Sequence, residues 1–178
     1  RDVFAKGANW IPADALHGQI TDEKTRGLLQ SAADAHINMI RVWGGGRYEP
    51  DSFYDTCDEL GLMVWQDYMF ACSIYPSDDA FLENVTAEVH ENTARIQHHA
   101  SHALWCGDNE LVGSLGWFPE TREDRDRYLV NYDRLNRTIE TVMKSVDPAA
   151  NWWPSSSSLG PMDFRDGWHV DGQGDMHF

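Results

Sequence analysis

Strand-like and helix-like patterns alternate along this chain, and that alternation constrains its fold more than any other feature. Short runs rich in Val, Ile, Trp and Met fall at residues 3–8, 38–43 (NMIRVW), 62–66 (LMVWQ), 103–106 and 151–156, and residues 175–178 read as the start of a sixth strand. Helix patterns lie between them at 21–36, 50–60, 77–99 and 122–146. Thr21 is placed to cap the first helix, Pro50 to begin the second before Gly61 stops it, and Ser77 or Asp78 to cap the third. Alternation of this kind implies parallel strands joined by crossover helices.

Two architectures satisfy that requirement. A doubly wound sheet usually shows a GxGxxG turn after its first strand, and this sequence has none. A (β/α)8 barrel instead sets polar side chains at the ends of many strands, facing one mouth. Here the strand ends carry Trp10 and Asp14, Trp43, Asp67, Glu110, the serines at 155–158 and His177. The expected fold is therefore α/β: an incomplete (β/α)8 TIM barrel, roughly strands one to six, because a full barrel takes roughly 250 residues. Residues 1–178 read as one partial barrel domain of a longer multidomain protein, with Arg1 directly ahead of a strand and no signal peptide. The two outer strands of such a piece would have open edges, which favour association with another chain or aggregation.

Composition narrows the partners. A formal net charge of −15 with no basic run argues against nucleic acid and other phosphate-rich ligands. No apolar run is long enough to cross a bilayer. Eight tryptophans suit sugar platforms in a cleft as well as a large core, and both readings stand. Cys57, Cys72 and Cys106 show no CxxC or metal spacing, and read as small core or near-site residues.

The stretch LWCGDNE (residues 104–110) carries a hydrophobic strand straight into an acid, an amide and an acid. Local spacing alone favours a turn or a helix cap by Asp108 and Asn109. Glu110 nevertheless falls just past a strand end, where barrel enzymes keep their reacting groups. A carboxylic acid there could donate a proton if desolvation and a second carboxylate raised its pKa. His98, His99 and His102 lie nearby, but two of them fall at a helix end, where a positive or polar group suits the dipole, and no His–x–His pair occurs. No metal and no cofactor is expected. Arg41 and Asp67 read either as an ion pair inside the barrel, favoured for Arg41, or as sugar contacts. The serines at 155–158 lack the GxSxG elbow of serine hydrolases.

The segments NWIPADAL, MIRVWGGGRYE, VWQDYMFACSIYPSD, WCGDNE and GDMHF occur in that order, each at a strand end. As an ordered set, from about Gly7 to Phe178, they resemble the catalytic barrel of the β-mannosidases of glycoside hydrolase family two. The resemblance implies a retaining exo-acting glycosidase that removes terminal β-linked mannose from oligosaccharides or glycans, with Glu110 as general acid/base. It further implies that Asn109 contacts the sugar 2-hydroxyl and that Trp43 and Trp117 wall the sugar pocket; from their strand-end positions, His177 reads as a pocket-lining donor and Asp67 as a candidate further sugar contact. Asp108 stands where many relatives carry Asn. The attacking glutamate of that family lies in an S-E-[FY]-G segment on a later strand, and no such segment occurs in residues 1–178. The expectation is a chain that supplies one half of a catalytic pair and relies on flanking domains. The alternatives are a related exo-β-glycosidase of glucosaminidase or galactosidase type, or a carbohydrate-binding barrel without turnover.

Overall fold

The computed structural model describes residues 2–164 and Asp175. Among them, five parallel strands form one open sheet in the order β1-β2-β3-β4-β5. The strands are β1 Gly7–Trp10, β2 Met39–Val42, β3 Met63–Asp67, β4 His102–Cys106 and β5 Trp152–Trp153. Crossovers run through α1 Asp22–Asp34, α2 Asp51–Leu60 and α3 Asp79–Ile96. Between β4 and β5 the chain forms α4 Leu111–Ser114, α5 Pro119–Glu123 and α6 Arg125–Val146. The α/β class and the parallel sheet are as the alternation implied. The sheet is not closed into a barrel within the described residues, and the expected sixth strand at 175–178 lies outside them except for Asp175. No helix of the described residues is long and apolar enough to cross a membrane.

Local signals account for most element boundaries. The Thr21 hydroxyl accepts the Lys24 N–H at 3.2 Å, and Asp22 and Glu23 place negative charge against the positive end of α1. Asp78, rather than Ser77, caps α3 by accepting the Phe81 N–H at 3.1 Å. Gly61 ends α2 in the left-handed region at φ +68°, where a side chain would be strained.

Three boundaries depart from expectation. The first strand begins at Gly7 rather than residue 3, because Gly7 is the residue in register with Met39 at the start of β2, while Val3 and Phe4 are exposed. The expected 122–146 helix is preceded by a separate short helix, and Asp124 between them takes φ −124° and ψ 53°. The last strand stops at Trp153, and pairing with the segment after β4 resumes only at the bridge between Asn109 and Ser156.

The register puts Ile40, Val42, Val64, Gln66 and Trp105 on the face that packs against the helices. There they meet Leu29, Phe53, Cys57, Val89, Ile96 and Ile139, all completely buried. Asn9, Arg41, Trp65 and Leu104 form a matching row on the other face. A shallow crevice on that second face is lined by Gly7, Ala8, Asn9, Met39, Arg41 and Trp65. The core therefore lies between sheet and helices, and the second face leads up to the strand ends that carry the polar residues.

Phe53 sits at the centre of the packed layer, with its ring 5.1 Å from Trp10 and 5.2 Å from Tyr54. Truncation by Phe53→Ala is expected to cost about 3–5 kcal/mol through lost burial and the cavity left behind. A shift of the urea midpoint corresponding to less than about 1 kcal/mol would show that this layer is not the core.

Candidate active site

The C-terminal ends of β3, β4 and β5 are stitched together for one step beyond the regular ladder. Ala71 bridges Asn109, and Asn109 bridges Ser156. Asn109 N–H donates to Phe70 O at 2.9 Å, Cys72 N–H to Asn109 O at 2.9 Å, and Glu110 N–H to Ser156 O at 2.8 Å. This second clasp fixes the segment that sequence reading singled out. Glu110 then takes φ +64° and ψ 16°, a left-handed conformation uncommon for a glutamate, and starts α4, where Ser114 N–H returns to its carbonyl at 2.9 Å. Its side chain is half-buried.

The acid–amide–acid cluster divides between two surroundings. Asp108 turns into the core, 1% exposed, where it accepts Leu111 N–H at 3.0 Å, the Ser155 hydroxyl and Asn136 Nδ2 at 3.4 Å. It is a buried cap for α4. Burial outweighs these donors and pushes its carboxyl up to about 7. Asn109 instead faces Arg41, whose guanidinium donates to its Oδ1 at 2.9 Å. The turn-and-cap reading thus holds for Asp108, while Asn109 and Glu110 face the strand ends.

Arg41 links the parts. It meets Asp67 through two hydrogen bonds, Nε to Oδ1 at 3.2 Å and Nη2 to Oδ2 at 2.8 Å, and lies 5.4 Å from the centre of the Trp65 ring. Asp67 is completely buried and also accepts the Gly44 N–H at 3.0 Å and the Trp65 indole N–H at 2.9 Å. Burial pushes the Asp67 carboxyl up, against the Arg41 charge and hydrogen bond. Burial alone would lower Arg41, yet its value is raised by the charge and hydrogen bond of Asp67. Each of the hydrogen bonds to Asp67 comes from a donor, so the pair is ionised. Gly44 passes so close to β3 that a Cβ there would lie 2.6 Å from Tyr68 O.

The expected site residues are therefore placed unevenly. Glu110, Asn109 and Asp67 share one set of hydrogen-bonded neighbours, with Asp67 bonded to Arg41 in the interior. Trp43 adjoins Gly44, is half-buried, and lays its ring over Gly45, where a Cβ would come within 2.0 Å of the indole. Trp117 is half-buried beyond α4, in edge contact with Phe118 at 6.4 Å between ring centres. His177 lies outside the described residues. Of the two readings open for the cysteines, small core or near-site, Cys72 takes the second: its Sγ is 3.4 Å from Glu110 Oε2 and 3.3 Å from Asn109 Nδ2. Sequence reading did not single out Asp175, which accepts the Trp153 indole N–H at 2.9 Å and the Ser158 N–H at 2.8 Å and so anchors the buried serine loop.

The histidines behave differently from the helix-end expectation. α3 ends at Ile96, and His99 turns onto α2, with Nδ1 2.8 Å from Asp58. Asp58 also accepts the Ser101 N–H at 2.6 Å. Asp55, Asp58 and His99 bring one potential ligand atom each within 4.8 Å of one another, but two of these three groups are already engaged in this tie between α2 and the start of β4.

An α/β domain with its polar residues at the C-terminal ends of parallel strands has the plan of a glycosidase fold. A Bacteroides uniformis β-glucuronidase superimposes with a TM-score of 0.66 at 22% identity, over 83% of this chain and 17% of that one. At that identity the likeness is one of fold alone. In sequence the chain is a relative of the β-mannosidases. It is 42% identical to the β-mannosidase of Rattus norvegicus and 40% to that of Capra hircus, each over 99% of this chain and 21% of theirs. A β-D-mannosidase from Dictyoglomus thermophilum superimposes with a TM-score of 0.81 at 42% identity, again over 99% of this chain and 21% of that one. The chain thus spans about a fifth of the length of the curated relatives it matches. No family model matches it.

Asp108 generates a pH dependence whose sign is fixed. Its carboxyl titrates near 7 when folded and near the ordinary value of about 3.9 when unfolded, so the native state binds more protons between those values. Its contribution to stability is full below about pH 4 and is lost as pH rises through 7, a change on the order of a few kcal/mol. Asp108→Asn is expected to flatten the fall in urea midpoint between pH 5 and pH 8. An unchanged slope would show that Asp108 is already ionised throughout that range.

Proposed function

We propose that this chain forms part of a retaining exo-β-mannosidase acting on terminal non-reducing β-D-mannose, and that Glu110 is its general acid/base. The observation that carries the reading is the placement of Glu110. A half-buried carboxyl at the end of β4 is held left-handed by backbone bonds on both sides, in a chain about 40% identical over nearly its whole length to proteins named β-mannosidase. In this reading the described strands are part of a (β/α)8 barrel whose mouth contains Glu110.

The chemistry follows from charge development. A glycosidic oxygen leaving with its electron pair is a poor leaving group unless protonated, and Glu110 supplies that proton; in the second half-reaction its carboxylate takes one from water. Asn109 contacts the sugar 2-hydroxyl. Its amide is oriented for this role because Arg41 fixes Oδ1, and Arg41 is in turn fixed by Asp67. Trp43 and Trp117 are the apolar walls and His177 a further pocket donor. Asp67 acts through Arg41, since its oxygens already accept four hydrogen bonds.

A retaining mechanism also requires an attacking carboxylate about 5–5.5 Å from the acid. Asp67 is committed to Arg41 and Asp108 is turned into the core as a cap, so neither serves. The attacking group is assigned to the longer protein, whose flanking domains and β-mannoside glycan substrate belong to the same proposal.

In a full-length protein containing this segment, Glu110→Ala is expected to lower kcat/KM for an unactivated β-mannoside by roughly 10²–10⁴-fold, the usual contribution of a positioned acid. A dinitrophenyl mannoside, which needs little protonation, should lose much less. Wild-type rates on the unactivated substrate would remove Glu110 from this role. A panel of chromogenic glycosides in which glucosaminide or galactoside exceeds mannoside would replace the sugar, and no turnover of any would leave a binding domain.

A further inference from the structure

Cys72 lies on the loop between β3 and α3 and takes φ +54°. It thus shares with Glu110 an unusual left-handed conformation, and the two face each other across neighbouring strand ends. A left-handed conformation at a residue other than glycine costs of order 1 kcal/mol or more, and persists where the surroundings hold it. Here the hold is visible: the Cys72 N–H donates to Asn109 O at 2.9 Å, next to the bridge between Ala71 and Asn109. The result is a thiol delivered to the catalytic mouth, while Cys57 and Cys106 are buried in the interior.

The direction of the hydrogen bonds around that thiol is determined from the ion pair outward. Arg41 donates to Asn109 Oδ1, which fixes which end of the amide faces which way. The other end, Nδ2, can only donate, and it points at Cys72 Sγ at 3.3 Å. With the sulfur lone pair taken up in that direction, the S–H is left to point at Glu110 Oε2, 3.4 Å away. Asp67, Arg41, Asn109, Cys72 and Glu110 therefore form one directional relay in which each group orients the next.

We infer that Cys72 is a positioning residue for the proton transfer: its thiol, aimed by Asn109, holds the Glu110 carboxyl in the orientation from which it reaches the glycosidic oxygen. The inference rests on the proposed role of Glu110. The thiol is suited to the task because it stays protonated. Burial, together with the hydrogen bond and charge of Glu110, pushes it up from its ordinary value. An S–H donor is weak and long, so it orients the carboxyl without tying up the proton that Glu110 has to give.

The test uses a full-length protein containing this segment and compares kcat/KM on β-mannosides with poor and good leaving groups, a quantity that reports the glycosyl-transfer step. For Cys72→Ala, a loss of about tenfold is expected on an unactivated disaccharide and less than about threefold on the dinitrophenyl glycoside, with KM nearly unchanged. Such a loss corresponds to about 1.4 kcal/mol of misdirected protonation. Cys72→Ser, which keeps a donor at the same place, should recover most of the loss. Capping the thiol of the wild type with methyl methanethiosulfonate should reproduce the Cys72→Ala pattern, be reversed by dithiothreitol, and add nothing in the Cys72→Ser background.

An equal loss on both leaving groups would mean that Cys72 supports only the fold, and overturns the inference. So would an unaltered Cys72→Ala enzyme in a series where Glu110→Ala shows the expected leaving-group split. If Glu110→Ala itself shows no split, the assignment of Glu110 fails first and takes this inference with it. Should Cys72→Ala not fold, the reversible cap on the folded wild type decides alone.

Discussion

A guanidinium placed inside a sheet has to be met by negative charge, and the pairing of Arg41 with Asp67 is the constraint on which the rest of the site depends. The carboxylate is completely buried and the guanidinium nearly so. Taking both charges out of water is costly, and the attraction between them repays it only when the remaining donors and acceptors are also satisfied. That condition explains the surroundings. Trp65 and Gly44 complete the shell of Asp67, and Asn109 receives the guanidinium. What the pair provides is geometry: one rigid plane that joins the ends of β2, β3 and β4.

The segment after β4 shows how that geometry is put to use. Asp108, Asn109 and Glu110 are consecutive, yet they enter three different environments. Asp108 goes to the core to cap α4, Asn109 to the ion pair, and Glu110 to a half-buried position beside Cys72. The separation is produced by the backbone, since a left-handed turn at Glu110 breaks the simple alternation that would have placed residues 108 and 110 on the same side. Hydrogen bonds to Phe70, Cys72 and Ser156 hold that turn in place. The two unusual conformations at Cys72 and Glu110 are thus parts of a single clasp between adjacent loops.

The neighbouring serine loop follows the same logic. Residues 155–158 are four consecutive serines just past β5, and all four are buried. Ser155 is tied to Asp108 on one side and Ser156 and Ser158 to Asp175 on the other, while the buried Ser157 hydroxyl has no partner among the described residues. Polar residues can line an interior when their partners are built into it, and here the partners are carboxylates that come from 47 and 17 positions away.

Much of the fold was legible in the sequence because its signals are local. Helix caps at Thr21 and Asp78, the left-handed stop at Gly61 and the periodic burial of the strands involve residues within a turn or two of one another, so spacing alone reveals them. The position of Glu110 at a strand end was legible for the same reason. What only the tertiary structure decided is which polar groups meet. Arg41 finds Asp67 across 26 positions and Asn109 across 68, and Cys72 finds Glu110 across 38. Those meetings depend on the parallel register and on where each strand stops. Periodicity can place a side chain on a face of the sheet, but the partner it finds there is chosen by packing between segments far apart in the chain.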